Sequence, residues 1–206
     1  MNDVTHSSEA ESAVAASYAA RHRRSAPVGV WGVGLLIATE AALFGTVLSS
    51  YYYLQFSAPA WPPPGITPTE PALPLALTGA LIATSVPMLL AARAARGGST
   101  RPSWLWLALA VAVQCGYLAV QIVLFHDDLT KFSPVGSAYG SIYFTLLGLH
   151  HVHVLVGILI VLWLLARLLS GLTNYRVNAV VVAAYYWIFV NAMAVLVVLT
   201  QLSPSL

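Results

Sequence analysis

The amino-acid sequence predicts an all-α membrane protein, a bundle of five transmembrane helices in one domain. Hydrophobic residues make up 59% of the 206 positions and charged residues only 8%. Soluble domains usually carry about a quarter charged residues, so this chain has too few to cover a water-facing surface. Five apolar segments also reach the roughly 20 residues that a helix needs to cross a bilayer. They lie at about residues 30–54, 74–95, 104–125, 138–169 and 177–202.

The connections between these spans contain residues that end helices. The first, SAPAWPPPGITPTEPALP, is too rich in proline to be helical. The second, ARGGSTRPS, is short and basic, and the fourth, SGLTNYR, is a tight link between helices. The third, HDDLTKFSPVG, is polar and contains turn residues, so we expect it to be a loop. The fourth span is longer than a bilayer requires, so we expect it to tilt or to project beyond the membrane.

The N-terminal segment differs in composition from the rest of the chain. Residues 1–26 are polar and include a basic cluster, without the apolar stretch of a signal peptide. We therefore expect a flexible cytoplasmic tail over residues 1–26 and a single five-helix transmembrane domain over residues 27–206.

The basic residues predict how the bundle is oriented. If the five spans alternate in direction, eight arginines fall on one side of the membrane and only Lys131 falls on the other. Because cytoplasmic loops carry the excess of Lys and Arg, the N-terminus is predicted to be cytoplasmic and the C-terminus periplasmic or outside. The arginines are Arg21, Arg23, Arg24, Arg93, Arg96, Arg101, Arg167 and Arg176.

One acidic residue lies inside a predicted span. Glu40 sits near the middle of the first span, where a charged side chain costs on the order of 3 kcal/mol and needs a partner. The fourth span supplies His150 and His153, which are three residues apart on one helix face, whereas His151 points elsewhere. We expect a buried polar cluster in which Glu40 is hydrogen-bonded to either His150 or His153.

Several interpretations of this cluster are possible. The pair can hold two helices together, handle protons or contact a lipid headgroup. A Glu with two His also resembles a metal-ligand set, but no second cluster supports a metal site. Haem would need axial His on facing helices, and only the fourth span has His within the membrane. We therefore expect neither a metal nor a cofactor in this chain, and we find no catalytic residues and no nucleic-acid-binding motif.

Further polar and small residues occur inside the spans. Gln114 and Gln121 lie seven apart on one face of the third span, and Asn191 lies inside the fifth, where it needs a partner. Small residues such as Gly32 and Gly79 are expected to let helices approach closely.

Three segments resemble subunit III of the haem–copper oxidases, the superfamily of cytochrome c and quinol oxidases. They are WGVGLLIATEAALFGTVLSSYYYL, WPPPGITPTEPALPLALTGALIATSVPMLLA and GSAYGSIYFTLLGLHHVHVLVG. Gly148, His150 and His153 match the family's glycine and histidine motif, and Glu40 matches its buried acid. The resemblance covers about residues 28–202 and is to the five-helix form of the family.

The last helix departs from the family pattern, which is Tyr-Trp-His-Phe-Val-Asp followed by a tryptophan. Here YYWIFVNAMA has Ile188 for the His, Asn191 for the Asp and Ala194 at the tryptophan position. Leu124 also stands where an acid often follows the glutamine matched by Gln121. These differences suggest a divergent branch, such as the subunit III-like component of a nitric oxide reductase.

The resemblance implies a non-catalytic accessory subunit in a bacterial inner membrane. Such a subunit packs on subunit I, which carries the haem and copper, in a complex with subunit II and others. It holds structural phospholipid and supports proton uptake and turnover stability, with Gln121 and Asn191 as supporting polar residues. Arg167 and Arg176 are candidate contacts for lipid headgroups, although ordinary topology determination also explains them. A stand-alone proton-coupled transporter that uses Glu40 with His150 and His153 as a relay is the alternative from another class, and the absence of a sequence repeat disfavours it.

Overall fold

The computed structural model describes residues 28–67 and 70–203, and this part of the chain forms six α-helices and no strand. They make five spans that are long and apolar enough to cross a membrane, because two short helices follow one another in the second span. The predicted five-helix bundle is therefore confirmed, whereas the tail at residues 1–26 lies outside the described residues and the orientation stays a prediction. The helices are α1 (Val28–Ser57), α2 (Ala72–Ala83), α3 (Ser85–Arg96), α4 (Thr100–Lys131), α5 (Ala138–Leu168) and α6 (Asn174–Leu202).

The break between α2 and α3 has a local cause. Pro87 lacks a backbone N–H, and its ring clashes with the carbonyl four residues earlier, which belongs to Ala83, the last residue of α2. At the junction, the hydroxyl of Thr84 donates to the carbonyl of Leu81 at 2.6 Å. The break leaves the side chains of Thr84 and Ser85 in the middle of the second span, where they meet other helices.

The five spans are buried to very different extents. α6 contacts α1, α2, α3 and α5, and 61% of its most apolar stretch is buried. α1 contacts only α5 and α6 among the described helices, and 11% of its stretch is buried. Its buried residues Val33, Phe44 and Tyr51 recur on one helix face, which rests on the bundle. α1 is therefore the peripheral span of this chain.

The third connection is shorter than the sequence predicted. α4 continues to Lys131, so the expectation of a loop over HDDLTKFSPVG is wrong for its first six residues. The Nζ atom of Lys131 lies 2.6 Å from Asp127 and 3.3 Å from Asp128, and such pairs one turn apart support a helix end. The helix stops at Phe132, shortly before Pro134. The fourth span is longer than a bilayer requires, as predicted, since α5 has 31 residues, and α4 with 32 residues is similarly long.

The small residues that bring helices together are not the ones expected. No atom lies within 4 Å of a Cβ built on Gly32 or Gly79, because both face outward from α1 and α2. That prediction is wrong for these two positions. The close approach occurs at Gly157 of α5, where a Cβ would lie 2.7 Å from the ring of Trp187 on α6. Trp187 is fully buried, so its ring has no room to withdraw.

We predict that Gly157→Ala destabilises the bundle by about 1–3 kcal/mol, because the added methyl group overpacks the contact with Trp187. Chemical unfolding in detergent micelles, followed by tryptophan fluorescence, measures the change in free energy. Gly148→Ala is the matched control, since its Cβ would lie 4.0 Å from Phe125, at ordinary contact distance. Equal unfolding midpoints for the two variants would contradict the proposed role of Gly157.

Candidate functional site

Glu40 and His153 form a hydrogen-bonded pair between α1 and α5. The Oε2 atom of Glu40 lies 2.9 Å from Nε2 of His153. The Nδ1 atom of His153 lies 2.7 Å from the carbonyl oxygen of Leu149, one turn earlier in α5. Of the two pairings that the sequence left open, the structure forms the one with His153.

The hydrogen bonds of His153 fix the protons that the pair must hold. The carbonyl oxygen of Leu149 can only accept, so Nδ1 of His153 carries a hydrogen. The contact between Nε2 and Glu40 then needs one further proton, which resides on the carboxyl group or on the imidazole. The pair is neutral overall in both arrangements, either as acid and imidazole or as carboxylate and imidazolium. This contact therefore lets the Glu40 carboxyl group and Nε2 of His153 share a single proton.

Aromatic side chains hold the pair in position. The ring of Phe44, one turn beyond Glu40, meets the imidazole of His153 edge-on with centroids 5.1 Å apart. Phe44 also meets Phe189 of α6 at 6.3 Å. The hydroxyl of Tyr186 donates to the backbone carbonyl of His153 at 2.9 Å. Three helices therefore converge on His153, while the Glu40 side chain stays a quarter exposed on the open side of α1.

His150 belongs to a separate hydrogen-bonded chain. Its Nε2 atom lies 3.2 Å from the hydroxyl of Tyr117, which accepts a hydrogen bond from Nε2 of Gln121 at 3.3 Å. Residues three apart on a helix differ in direction by about 60°, so His153 reaches α1 while His150 reaches α4. The structure thus divides the predicted cluster into two groups. Gln121 supports His150 through Tyr117.

The remaining polar residues of the spans pair across other helices. Asn191 of α6 donates to the hydroxyl of Ser85 at 2.7 Å, and Gln114 of α4 donates to that of Thr84 at 3.4 Å. The sequence identified Asn191 but missed its partner. The signal available was a Thr-Ser pair shortly before Pro87 inside an apolar span. Tyr117, which lies between Gln121 and His150, was not predicted from the sequence.

The two candidate lipid contacts lie near the ends of α5 and α6. The guanidinium carbon of Arg167 lies 5.7 Å from the ring centroid of Trp163, within the range of a cation–π contact. Arg176 donates to the carbonyl of Gly171 in the short link between the two helices. That hydrogen bond occupies one guanidinium nitrogen of Arg176 and stabilises the link between α5 and α6. Lipid binding by either residue stays a prediction.

A family model described as "Cytochrome c oxidase subunit III" matches residues 10–202. The chain belongs to this family. The resemblance inferred from the three sequence segments is confirmed. Glu40 and His153 both lie within the segments of this chain that carry the resemblance.

Individual relatives come from both animals and bacteria. Cytochrome c oxidase subunit 3 of Petromyzon marinus is 29% identical over 79% of this chain and 64% of its own length. Cytochrome bo(3) ubiquinol oxidase subunit 3 of Pseudomonas aeruginosa is 29% identical over 79% of this chain and 78% of its own length. The chain thus spans less than two thirds of the animal protein. The family includes proteins named for cytochrome c oxidases and for quinol oxidases.

We predict that Glu40→Ala lowers the free energy of unfolding by about 1–3 kcal/mol, because it leaves Nε2 of His153 without a partner. Glu40→Gln is expected to cost less, since an amide can still hydrogen-bond to the imidazole. Thr39→Ala is the neighbouring control, because the Thr39 hydroxyl bonds only to the carbonyl of Leu36 in its own helix. If Glu40→Ala unfolds like Thr39→Ala in detergent, the pair contributes nothing to the packing of α1.

Proposed function

We propose that this chain is the non-catalytic subunit III of a haem–copper terminal oxidase in a bacterial inner membrane. In this role it packs on a catalytic subunit I that holds the haem and copper, in a complex that also contains subunit II. The observation that carries the proposal is the family match over residues 10–202, nearly the whole chain. The five-span bundle and the pairing of Glu40 with His153 support it.

The chemistry of the described polar residues supports an accessory role. Several hydrogen bonds run between helices, as in Glu40 with His153 and Asn191 with Ser85. Such contacts fix the relative positions of spans in a bilayer, where there is little hydrophobic driving force between helices. We propose that the chain supports proton uptake and sustained turnover of subunit I by holding its own helices rigidly against that subunit.

The outward side of α1 supports contact with a further chain or with lipid. Leu35 is 69% exposed and Trp31 67% exposed on this helix, which among the described helices touches α5 and α6 alone. We propose that subunit I and structural phospholipid together cover such apolar surface. We propose that Arg167, which lies beside Trp163, meets an anionic headgroup at the predicted cytoplasmic end of the bundle.

A second candidate is the subunit III-like component of a nitric oxide reductase. Specific features favour it, namely Ile188 and Asn191 in place of the family's usual His and Asp in the last helix. Ile188 is 41% exposed, facing away from the bundle, and Asn191 is buried against Ser85. A stand-alone transporter gains no support from the geometry. Only the second span is broken among the described helices, whereas transporters typically pair two discontinuous helices.

We predict that an affinity-tagged form of the full chain, extracted in mild detergent from its own cells, co-purifies with a haem- and copper-containing subunit. Mass spectrometry identifies the accompanying chains, and a visible spectrum detects the haem. Cells with the untagged chain provide the control. Consumption of oxygen or of nitric oxide by the purified complex separates the two candidates. Purification of the chain alone, without haem, would overturn both.

We also predict that the complex lacking this chain starts at a similar rate but loses activity several-fold sooner during continuous turnover. The expected reason is that the helices of subunit I that it contacts lose their lateral support. Oxygen consumption followed to exhaustion measures the number of turnovers before inactivation. The complex that contains the Thr39→Ala chain is the control. Equal lifetimes with and without the chain would exclude a role in turnover stability.

A further inference from the structure

Five electron-rich aromatic rings form a row at the end of the bundle where α1 finishes and α5 begins. Successive ring centroids are 5.4, 5.4, 5.1 and 5.7 Å apart, within the range of aromatic contacts. We call this set the aromatic row. Its members, in order of contact, are Tyr52 and Tyr51 of α1, Trp61 of the first connection, and Tyr139 and Tyr143 of α5. Trp61 therefore joins the rings of α1 to those of α5.

The aromatic row leads from the surface of the described structure into its interior. Tyr52 is 37% exposed. The other tyrosines are buried, since Tyr51 is 1%, Tyr139 3% and Tyr143 4% exposed. Phenol and indole rings give up one electron far more readily than aliphatic side chains or phenylalanine do. Rings in contact thus give an electron a path from the buried Tyr143 to the exposed Tyr52.

Tyr143 has a proton acceptor within the structure. Its hydroxyl donates to Oδ2 of Asp128 at 2.7 Å and accepts from the amide of Gln201 at 3.3 Å. Lys131 lies 3.3 Å from Oδ1, the other carboxylate oxygen of Asp128. The Oδ2 atom therefore faces the phenol, and an ionised carboxylate can only accept a hydrogen bond. The contact is already aligned for the phenolic proton to move to Asp128.

Tyr51 shows the contrast within the same row. Its hydroxyl donates to the backbone carbonyl of Thr200 at 2.7 Å and accepts from the indole N–H of Trp61 at 3.0 Å. A phenol that loses an electron becomes a strong acid, and a backbone carbonyl is too weak a base to take its proton. Among the described residues, Tyr143 is the one member of the row that hydrogen-bonds to a carboxylate. Oxidation of the row therefore comes to rest at Tyr143.

We propose that the aromatic row is a one-electron redox site that quenches lipid peroxyl radicals, with Tyr143 holding the oxidised state. A lipid peroxyl radical at Tyr52 takes one electron from the row and one proton from water, and becomes a hydroperoxide. The row recovers its electron from Tyr143, whose phenolic proton moves to Oδ2 of Asp128. An aqueous electron donor of the ascorbate class then reduces the neutral tyrosyl radical, and the proton returns from Asp128. This redox site does not depend on the identity of the partner subunits.

The test uses the full chain, with whatever subunits co-purify, in liposomes of unsaturated phosphatidylcholine. A lipid-soluble azo initiator supplies peroxyl radicals in air, and electron paramagnetic resonance of frozen samples detects the protein radical. We expect a neutral tyrosyl signal that narrows when tyrosine is ring-deuterated. Tyr143→Phe keeps the stacked ring without the hydroxyl and is expected to lose this signal. Tyr175→Phe is the control, since Tyr175 is 68% exposed and lies at the start of α6, at the opposite end of the bundle.

A second pair of variants tests the proton acceptor. Asp128→Asn still accepts a hydrogen bond from Tyr143 but cannot take the proton, so we expect the radical to decay about tenfold faster. Asp127→Asn is the charge-matched control one residue away. Its carboxylate is exposed and pairs with Lys131, so its radical is expected to decay like that of the parent.

A third pair tests the path. Trp61→Phe leaves Tyr143 and its hydrogen bonds in place but interrupts the row with a ring that is hard to oxidise. We therefore expect the tyrosyl signal to appear about tenfold more slowly. Trp163→Phe is the control, because Trp163 lies on α5 outside the row, beside Arg167, and is expected to leave the rate unchanged.

Several results would overturn the proposal. An unchanged signal in Tyr143→Phe would show that another tyrosine holds the oxidised state, and equal loss in Tyr175→Phe would show that exposure alone decides. Equal decay rates in Asp127→Asn and Asp128→Asn would exclude Asp128 as the proton acceptor. An unchanged rate in Trp61→Phe would exclude the row as the path. Absence of any tyrosyl radical in the parent, with a lower unfolding midpoint in Tyr143→Phe, would identify the row as packing alone.

Discussion

The hydrogen bond between Glu40 and His153 fixes the middle of α1 in the bundle, and the Tyr51 hydroxyl, which donates to the carbonyl of Thr200 on α6 at 2.7 Å, fixes its end. α1 has little buried surface and rests on just two of the described helices, α5 and α6, so packing alone gives it few constraints. A carboxyl group inside a bilayer is costly without a partner, and the imidazole of His153 is the partner that the structure provides at 2.9 Å. Because Nδ1 of His153 donates to the carbonyl of Leu149, the contact must also retain one proton. The position of α1 and the proton content of the pair are therefore linked.

The other spans are joined by the same kind of contact at different places. Tyr117 joins α4 to His150 of α5, and Asn191 joins α6 to Ser85 at the start of α3. The break at Thr84 makes this possible in the second span, since it presents two hydroxyl groups in a stretch that is otherwise apolar. Glu40, His150, Gln114 and Asn191 are thus each matched by a polar side chain on a neighbouring helix, and the break in the second span supplies the partners of Gln114 and Asn191.

The sequence predicted the five spans and the need of Glu40 for a partner because both follow from the cost of burial in lipid. It did not choose between His150 and His153, since that choice depends on a rotation of about 60° around α5, which the neighbours of the helix decide. The end of α4 was misjudged because the polar run HDDLTK has the composition of a loop, yet Asp127 and Lys131 pair across one helical turn. Gly157 was missed because the sequence does not show whether a glycine in a span faces a neighbouring helix or faces outward. That depends on the residue opposite it, here Trp187.

Helices associate in a bilayer without much hydrophobic driving force, so each span needs either close packing or polar contacts. α6 relies on close packing, since the absence of a side chain at Gly157 lets Trp187 lie against the backbone of α5. α1 relies on polar contacts and gains little from packing. α1 is held by the Glu40–His153 pair and, nearer its end, by the Tyr51 hydroxyl, which donates to the carbonyl of Thr200 on α6. A helix held by a few polar contacts is easier to displace than one enclosed on most sides, so in the proposed complex a partner subunit would contribute most at its remaining face. In the proposed complex, the Glu40–His153 pair would align α1, and a partner subunit would cover the outward side of that helix.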